Sequence, residues 1–392
     1  MKILSIETSA DETGVSVVDA TGDFPTAKYE LLGNGLRSQI ELHNEYGGIF
    51  PMMAKREHAK AIVPLLQFAL EEAGLLEMVD GGHAVPTAIT AELETILERE
   101  PALLEALQIF TAKFDKPAVD IIAVTSGPGL TPALWVGVNF AKALAALWGV
   151  KVITVNHMEG HILASIYDVV EDDRLAAIEF PSLALLVSGG HTELVLMRNW
   201  LDYEKIGQTV DDAVGEAFDK VARLMGLPYP GGPEIGRLAA IARQAKLPPF
   251  KNPLPRPMLK SGDYNFSFSG LKTAVRYAIA DQALSDTGKQ ALARDFEDAA
   301  VEVLVAKTSH AVATYGSKSV VVGGGVSAST YLRYSLREHF LREHPECELY
   351  FPKPGLSTDN AIMIALAAHA HIDSARNAAA AKLMQADGNM SL

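Results

Sequence analysis

Leu183 to Met197 reads L-A-L-L-V-S-G-G-H-T-E-L-V-L-M. An apolar run, Leu183 to Val187, meets the small and polar tip Ser188-Gly189-Gly190-His191-Thr192, and a second run returns from Glu193 to Met197. This pattern predicts a β-hairpin with a glycine-rich turn. The chain opens on the same design. Lys2 to Glu7 reads as a strand, Thr8-Ser9-Ala10-Asp11-Glu12-Thr13-Gly14 as a turn, and Val15 to Val18 as the returning strand. Two such hairpins, each opening an α/β half, predict a duplicated, two-lobed architecture. A third glycine-rich loop, Gly323-Gly324-Gly325-Val326-Ser327, comes after the strand Ser319 to Val322. Loops of this kind at strand ends offer backbone N–H groups to phosphates, so the three together predict a nucleotide held in a cleft between the lobes. The turn at 8–14 adds hydroxyls for a phosphate and two carboxylates, Asp11 and Glu12, for a bound cation.

Between and around these loops the pattern is α/β. Ser38 to Ala73 is helix-rich, with Lys55-Arg56-Glu57-His58 as a charged turn. Leu75 to Lys116 carries Gly81-Gly82 and then a helical pattern from Ala91 to Phe110, and reads as an inserted excursion. Ala118 to Thr125 is a buried strand, Ser126-Gly127-Pro128-Gly129 a turn, and Thr131 to Trp148 an apolar helix stopped by Gly149. Asp211 to Lys220 begins a helix with acids in its first turn, and Asp219 lies further along it. Pro230-Gly231-Gly232-Pro233 is a tight loop where backbone can approach a ligand. Tyr264 to Leu271 alternates like an edge strand. Residues 1–178 are the expected N-terminal lobe, with an insertion at about 75–117 and a C-terminal helix at about 359–375 packing back on it; 179–392 are the expected C-terminal lobe.

The candidate chemistry starts at Val155-Asn156-His157-Met158-Glu159-Gly160-His161. Histidines at i and i+4 share a helix face, and two neutral imidazoles so placed can grip one transition metal. A third ligand must come from elsewhere. The pair comes directly after a strand, Lys151 to Val155, and ligands in open α/β sheets gather at the carboxyl ends of strands. The spacing argues against a metallopeptidase. In H-E-x-x-H the Glu stands directly after the first His, whereas Glu159 sits at i+2, roughly 200° around the helix. Near the end, Ser357-Thr358-Asp359-Asn360 precedes an apolar helix, Ala361 to Ile372. Ser357, Thr358 or Asp359 each suits an N-cap.

Composition bounds the rest. The 392 residues, 48% hydrophobic and 21% charged, describe a globular chain without an apolar run long enough to span a membrane. A single cysteine, Cys347, cannot form an internal disulfide, and the N-terminus enters a strand directly, so a cytoplasmic protein is expected. The net charge of −14 argues weakly against nucleic acid as a partner, because phosphate contacts need local Lys and Arg. A local basic stretch runs against it: Ile235 to Gly262 has no Asp or Glu but holds Arg237, Arg243, Lys246, Lys251, Arg256 and Lys260.

Ten motifs in order resemble one family. They are I-E-T-S-A-D-E-T-G-V at 6–15, P-x-x-A-K-R-E-H at 51–58, G-P-G-L-T-P-A-L at 127–134, V-N-H-M-E-G-H at 155–161 and L-L-V-S-G-G-H-T-E-L at 185–194. The series continues with D-D-A-V-G-E-A-F-D-K-V-A-R at 211–223, Y-P-G-G-P at 229–233, F-S-F-S-G-L-K-T-A-V at 266–275, G-G-G-V-S-A at 323–328 and S-T-D-N-A-I-M-I at 357–364. The chain resembles the TsaD family of tRNA threonylcarbamoyltransferases, whose archaeal and eukaryotic members sit in the KEOPS complex and whose fold is that of actin, sugar kinases and heat-shock ATPases (ASKHA). The resemblance implies a site for one divalent metal, iron in most accounts with zinc or manganese also suited, at His157, His161 and Asp359. It implies a substrate site of Leu186, Val187, Ser188, Gly189, Gly190, Asp219, Gly232, Gly324, Gly325 and Ser329, joined by Ser9, with Asp11 and Glu12 as catalytic carboxylates. Ser329 stands where the family has Asn, and 75–116 is longer than the family's link.

The implied reaction moves a threonylcarbamoyl group from threonylcarbamoyl-AMP, made by a separate synthase, to N6 of adenosine 37 in tRNAs reading codons that start with A. TsaB-like and TsaE-like proteins are the implied partners, and no membrane is involved. An ATP-dependent phosphotransferase of the same superfold is the rival, but it would hold Mg²⁺ through carboxylates and waters rather than two histidines.

Overall fold

In a computed structural model of the chain, the first hairpin forms and its leading strand becomes an interior strand of a sheet. β1 (Lys2–Glu7) is buried on both faces from Ile3 onward, as suits an interior strand. β2 (Glu12–Thr21) pairs antiparallel with it, and β3 (Lys28–Ser38) antiparallel with β2. On the other side, β4 (Ile121–Gly127) and then β5 (Lys151–Asn156) run parallel. The short strands β6 (Tyr167–Asp168) and β7 (Arg174–Leu175) continue past β3, giving the order β5-β4-β1-β2-β3-β7-β6.

The second hairpin builds a second sheet on the same plan. β8 (Ser182–Val187) is central, β9 (Thr192–Asn199) and β10 (Asp202–Gln208) run antiparallel on one side, and β11 (Ser319–Gly323) and β12 (Glu348–Tyr350) run parallel on the other. The order β10-β9-β8-β11-β12 repeats the core of the first sheet strand for strand. The expected α/β class, with duplicated mixed sheets flanked by helices, is therefore the observed one.

The described residues are 1–44, 46–79, 85–168, 172–250, 253–280 and 284–392. Gly81, Gly82 and Lys251 lie outside them. The chain divides into two units. One comprises Met1–Glu41, Ile49–Ala176 and Asp359–Leu392, the other Leu42–Gly48 and Ala177–Thr358. After the short α1 (Ile40–Asn44), the first unit holds α2 (Pro51–Glu72), α3 (Thr87–Ile96), α4 (Pro101–Lys113), α5 (Thr131–Trp148) and α6 (His157–Ile166). The second holds α7 (Val214–Leu224), α8 (Gly231–Gln244), α9 (Ser269–Ala278), α10 (Asp286–Tyr315) and α11 (Thr330–Glu343). The chain then returns to the first unit with α12 (Ala361–Ala370) and α13 (Ala378–Ala381). None of the described helices is long and apolar enough to cross a membrane.

Packing explains the placement of α12. Leu4, Ile6, Val15 and Val17 form one sheet face and bury against α2 and α5. The alternate positions face α12, where a Cβ on Gly14 would come within 3.0 Å of the Ala361 amide. α12 also lies against α6, so close that a Cβ on Gly160 would meet Met363 at 3.0 Å. In the second unit Leu183, Leu185, Val187, Val320 and Val322 bury against residues of α7, α8, α10 and α11.

Several expectations change. β3 is hidden in the sequence by Gly33 and Gly35, which break its apolar alternation. They are there because a Cβ on Gly33 would lie 2.0 Å from the Ala69 carbonyl, so only glycine lets α2 pack against this strand. Lys55 to His58 is not a turn but part of α2. The pattern from Ala91 to Phe110 is two helices, broken before Pro101, which takes the first turn of α4. Tyr264 to Leu271 contributes one bridge, Thr209 to Phe266, before α9 begins at Ser269. Asp211 stands outside α7 and receives the Ser267 and Ser269 hydroxyls and the Phe268 amide, which stiffens the entry to α9.

Candidate metal centre

β5 runs straight into α6, and the junction fixes the first histidine. Asn156 caps the helix, its side chain accepting from the Met158 and Glu159 amides at 2.8 and 3.4 Å. His157 is then the first helical residue and His161 lies one turn on, with ring centroids 4.7 Å apart. Both are buried, at 6% and 1% exposure. The third group arrives on the extended segment before α12. Asn360, not Ser357, Thr358 or Asp359, caps that helix, accepting from the Met363 amide at 3.0 Å. The Asp359 carboxylate is left to face the histidines. Its Oδ1 lies 3.1 Å from His161 Nε2 and 3.4 Å from His157 Nε2. One donor atom from each of the three residues falls within 4.8 Å of the others.

Behind this triad stands a group whose role its sequence context does not announce. Glu7, fully buried at the end of β1, places Oε2 3.1 Å from His157 Nδ1 and accepts the Thr125 hydroxyl at 2.6 Å. Its Oε1 accepts the Ser9 amide at 2.5 Å. The Ser9 hydroxyl is 3.2 Å from His157 Nδ1 and 3.5 Å from Asp359 Oδ2. A carboxylate on the far nitrogen of a histidine fixes its tautomer and raises its basicity toward a metal. The only hint in the sequence is a charged residue ending an otherwise apolar strand.

Electrostatics tie the cluster together. Burial would lower the basicity of His157, but the charges of Asp359 and Glu7 outweigh it and hold the ring well above its usual pKa. Burial would raise the Asp359 carboxyl, yet the His157 charge and hydrogen bonds from both histidines keep it well below the carboxylate range. Asp11 and Glu12 are buried at the start of β2. Glu12 is pushed up to about 10, first by burial and then by the charges of Asp11 and Asp359, while Ser38 donates to it at 3.2 Å. Burial and the neighbouring charges therefore favour its acid form. The donor set fits a divalent transition metal. Two imidazoles and one carboxylate would hold it with positions left open, and Asp359, at 17% side-chain exposure, marks the accessible side.

Glu159 takes no part. Its carboxylate is held by His371 Nε2 at 2.8 Å, as its position two residues along the helix anticipates.

In the second unit the remaining candidates fall into two connected groups. Ser188 closes its own loop, accepting the Gly190 and His191 amides on its hydroxyl at 3.3 and 3.0 Å. A Cβ on Gly324 would lie 2.4 Å from the Val187 carbonyl, and Gly324 has φ +88°, so the third glycine loop nests against the first only as glycine. Gly189, Gly190, Gly232 and Gly325 face open space. Leu186 and Val187 are fully buried and offer a ligand only main-chain groups. Asp219, on α7, accepts the Gly231 amide at 2.7 Å and so fixes the start of α8, where Gly232 lies. Gly215 of α7 packs under the Ser188 carbonyl, which accepts the Gly215 amide at 3.2 Å. Ser329 caps α11 through the Leu332 amide at 3.2 Å, a task that engages its short side chain.

A profile of the family described as TsaD: tRNA N6-adenosine threonylcarbamoyltransferase matches residues 30–80 and 97–366. The chain belongs to the TsaD family. The gap between the two matched ranges, 81–96, contains α3. Among solved structures, YeaZ from Pseudomonas aeruginosa aligns at 13% identity over 52% of the chain, with a TM-score of 0.25. The Lmo2764 protein from Listeria monocytogenes aligns at 12% identity over 95% of this chain and 99% of that one, with a TM-score of 0.40. The T. kodakarensis HypF structure aligns at 13% identity over 71% of the chain, with a TM-score of 0.46. The chain spans 65% of the length of YeaZ and 43% of that of HypF.

Proposed function

We propose that the chain transfers the threonylcarbamoyl group of threonylcarbamoyl-AMP to N6 of adenosine 37 in tRNAs reading codons that begin with A, with release of AMP. The observation that carries this reading is the convergence of His157, His161 and Asp359 in a chain of the TsaD family. In the transfer, the adenosine N6 forms a bond to the carbamoyl carbon, the bond from that carbon to the phosphate oxygen breaks, and the amine gives up a proton. AMP is a good leaving group, so positioning and charge stabilisation are the main tasks. A metal held by the triad would supply Lewis-acid polarisation of an oxygen of the adenylate. Fe²⁺ is the proposed ion, and Zn²⁺ or Mn²⁺ suit the same donors.

The chain's own groups divide the remaining work. At Gly189, Gly232 and Gly325 the absence of a side chain lets main chain approach phosphate and ribose, while the Gly190 amide is engaged by the Ser188 hydroxyl. Asp219 orients that loop and is the proposed ribose contact. Glu12 in its acid form can donate a hydrogen bond to a developing oxyanion, and Asp11 beside it is the proposed acceptor of the amine proton. No covalent enzyme intermediate is needed. The one thiol, Cys347, is buried and pushed up to about 11 by that burial, with Glu346 and Glu348 adding to it, which leaves it un-ionised. The phosphotransferase alternative finds little support in a site built of two imidazoles. tRNA, TsaB-like and TsaE-like proteins are the proposed partners, and the cytoplasm the proposed location. The deciding experiment supplies threonylcarbamoyl-AMP and tRNA, with and without partner proteins, and measures threonylcarbamoyl-adenosine by mass spectrometry. Absence of product under every combination would refute the assignment.

A further inference from the structure

The segment after α12 lies beyond residue 366, where the family profile ends. It is built into the first unit all the same. Arg376 exchanges two backbone hydrogen bonds of 2.8 Å with Val152 on the edge of β5. Ala381 and Met384 are buried in the core that α2 and α5 share. Lys382 pairs at 2.9 Å with Glu92 of α3, so the tail touches another of the stretches outside the family match. These contacts anchor the tail through buried side chains and a surface ion pair.

Past Met384 the tail is held mainly through its backbone, with the Ser126 hydroxyl also meeting Met390 Sδ at 3.9 Å. The chain turns, with the Asn389 amide donating to the Asp387 side chain at 2.9 Å, and lies along the loop Ser126 to Gly129. The Asp387 amide donates to the Ser126 carbonyl at 2.8 Å, and the Gly129 amide donates to the Gly388 carbonyl at 3.2 Å. The fit is close on both strands. A Cβ on Gly127 would stand 1.9 Å from the Asp387 carbonyl, and one on Gly388 would stand 2.7 Å from the Gly129 carbonyl. The other side of that loop presses on the metal centre's own turn. The Leu130 amide donates to the Ser9 carbonyl at 2.7 Å, and a Cβ on Gly129 would lie 2.7 Å from the same oxygen. The Ser9 hydroxyl then faces His157 and Asp359.

We infer that Asp387 and Gly388 are positioning residues for the metal centre: the C-terminal tail clamps the 126–129 loop, which fixes the Ser9 turn beside His157 and Asp359. The inference rests on the reading of that triad as a metal site. Packing at this density leaves a loop no alternative place while both neighbours remain. Removing one neighbour frees the glycine-rich loop, and through it the Ser9 main chain.

The test uses the full-length chain, a chain ending at Ala386, and the full-length Gly388→Val variant. The truncation keeps Ala381 and Met384, and Gly388→Val keeps the tail but drives a side chain into Thr131 and the Gly129 carbonyl. Hydrogen exchange is read at the Ser9, Gly129 and Leu130 amides, and Zn²⁺ alone is titrated to obtain metal affinity. Both variants are expected to keep the cooperative melt, to exchange faster at these amides and to bind Zn²⁺ about tenfold more weakly. Asn389→Ala, at an exposed position of the same tail, is expected to leave affinity unchanged. Unchanged exchange and affinity in both variants would overturn the inference. A full-length chain that takes up no Zn²⁺, or takes it up equally as His157→Ala, would sink the metal reading and the inference with it.

Discussion

Glu7 Oε2 and His157 Nδ1 lie 3.1 Å apart, both fully or nearly fully buried, with the Thr125 hydroxyl on the same carboxylate oxygen. The imidazole is thus held from behind while its other nitrogen faces Asp359. Glu7→Gln keeps the shape and removes the charge. Metal affinity should fall by about 10- to 100-fold, measured by chelator competition, with little change in the fold. Wild-type affinity in this variant would show that the carboxylate has no orienting role.

The same pair sets a pH dependence. Without metal, His157 is held well above its usual pKa, so at neutral pH it carries a proton that a metal must displace. Affinity should rise with pH, about tenfold per unit, until the folded pKa is passed. Calorimetry in two buffers of different ionisation enthalpy should reveal proton release on binding. For the metal-free fold the signs run the other way. The His157 contribution is complete below its unfolded value and fades as pH rises through the elevated one. The Asp359 contribution is complete above its unfolded value and fades as acid passes the depressed one. The metal-free chain should therefore melt highest between mild acid and neutrality.

Glu12 offers a contrasting case. Its pKa is raised from 4.5 to about 10, so the ionised form is disfavoured in the fold and the penalty grows as pH climbs above 4.5. Glu12→Gln should stabilise the chain at pH 8 by roughly 1–3 kcal/mol, read by denaturant titration. Threonylcarbamoyl transfer should drop in the same variant. A stabilised protein with full activity would remove Glu12 from the proposed chemistry.

Arg243 belongs to the basic stretch expected to meet tRNA, but it is committed elsewhere. It donates to Glu297 at 2.6 Å and Asp298 at 2.5 Å and stacks over Tyr331 at 3.4 Å. Arg237 and Arg256 likewise pair with Glu234 and Glu302. Reversing Arg243 strands the buried Glu297 and should cost about 3 kcal/mol in stability. Among the described residues of the stretch, Lys246 and Lys260 make no ion pair. Charge reversal at these two should weaken tRNA binding more at low than at high salt without altering the melt. If binding shows no salt-dependent change, the stretch is not the tRNA face.

The architecture is legible in the sequence because both founding hairpins announce themselves. Leu183 to Val187 is an apolar run and Lys2 to Glu7 alternates around Ile3, Leu4 and Ile6, both end in small, polar turns, and each becomes an interior strand flanked by antiparallel and parallel neighbours. The helix spacing makes the His157–His161 pair legible, since i and i+4 share a face whatever the tertiary context. Asp359 comes only from resemblance. A lone Asp before an apolar helix reads equally as a cap, and only the structure assigns the cap to Asn360. Glu7 and β3 are hidden for a shared reason. Their identities answer partners distant in sequence, His157 for one and the α2 backbone for the other, and no local period records such partners.

The division of labour between Asp359 and Asn360 has an evolutionary consequence. Because the neighbour closes the helix, a change at 359 leaves the cap of α12 in place. If the triad holds a metal as proposed, a histidine, glutamate or cysteine there would alter its ion preference while the α12 cap stayed in place. Ion preference can in this way drift with the metals available to a cell, one substitution at a time, within a single fold.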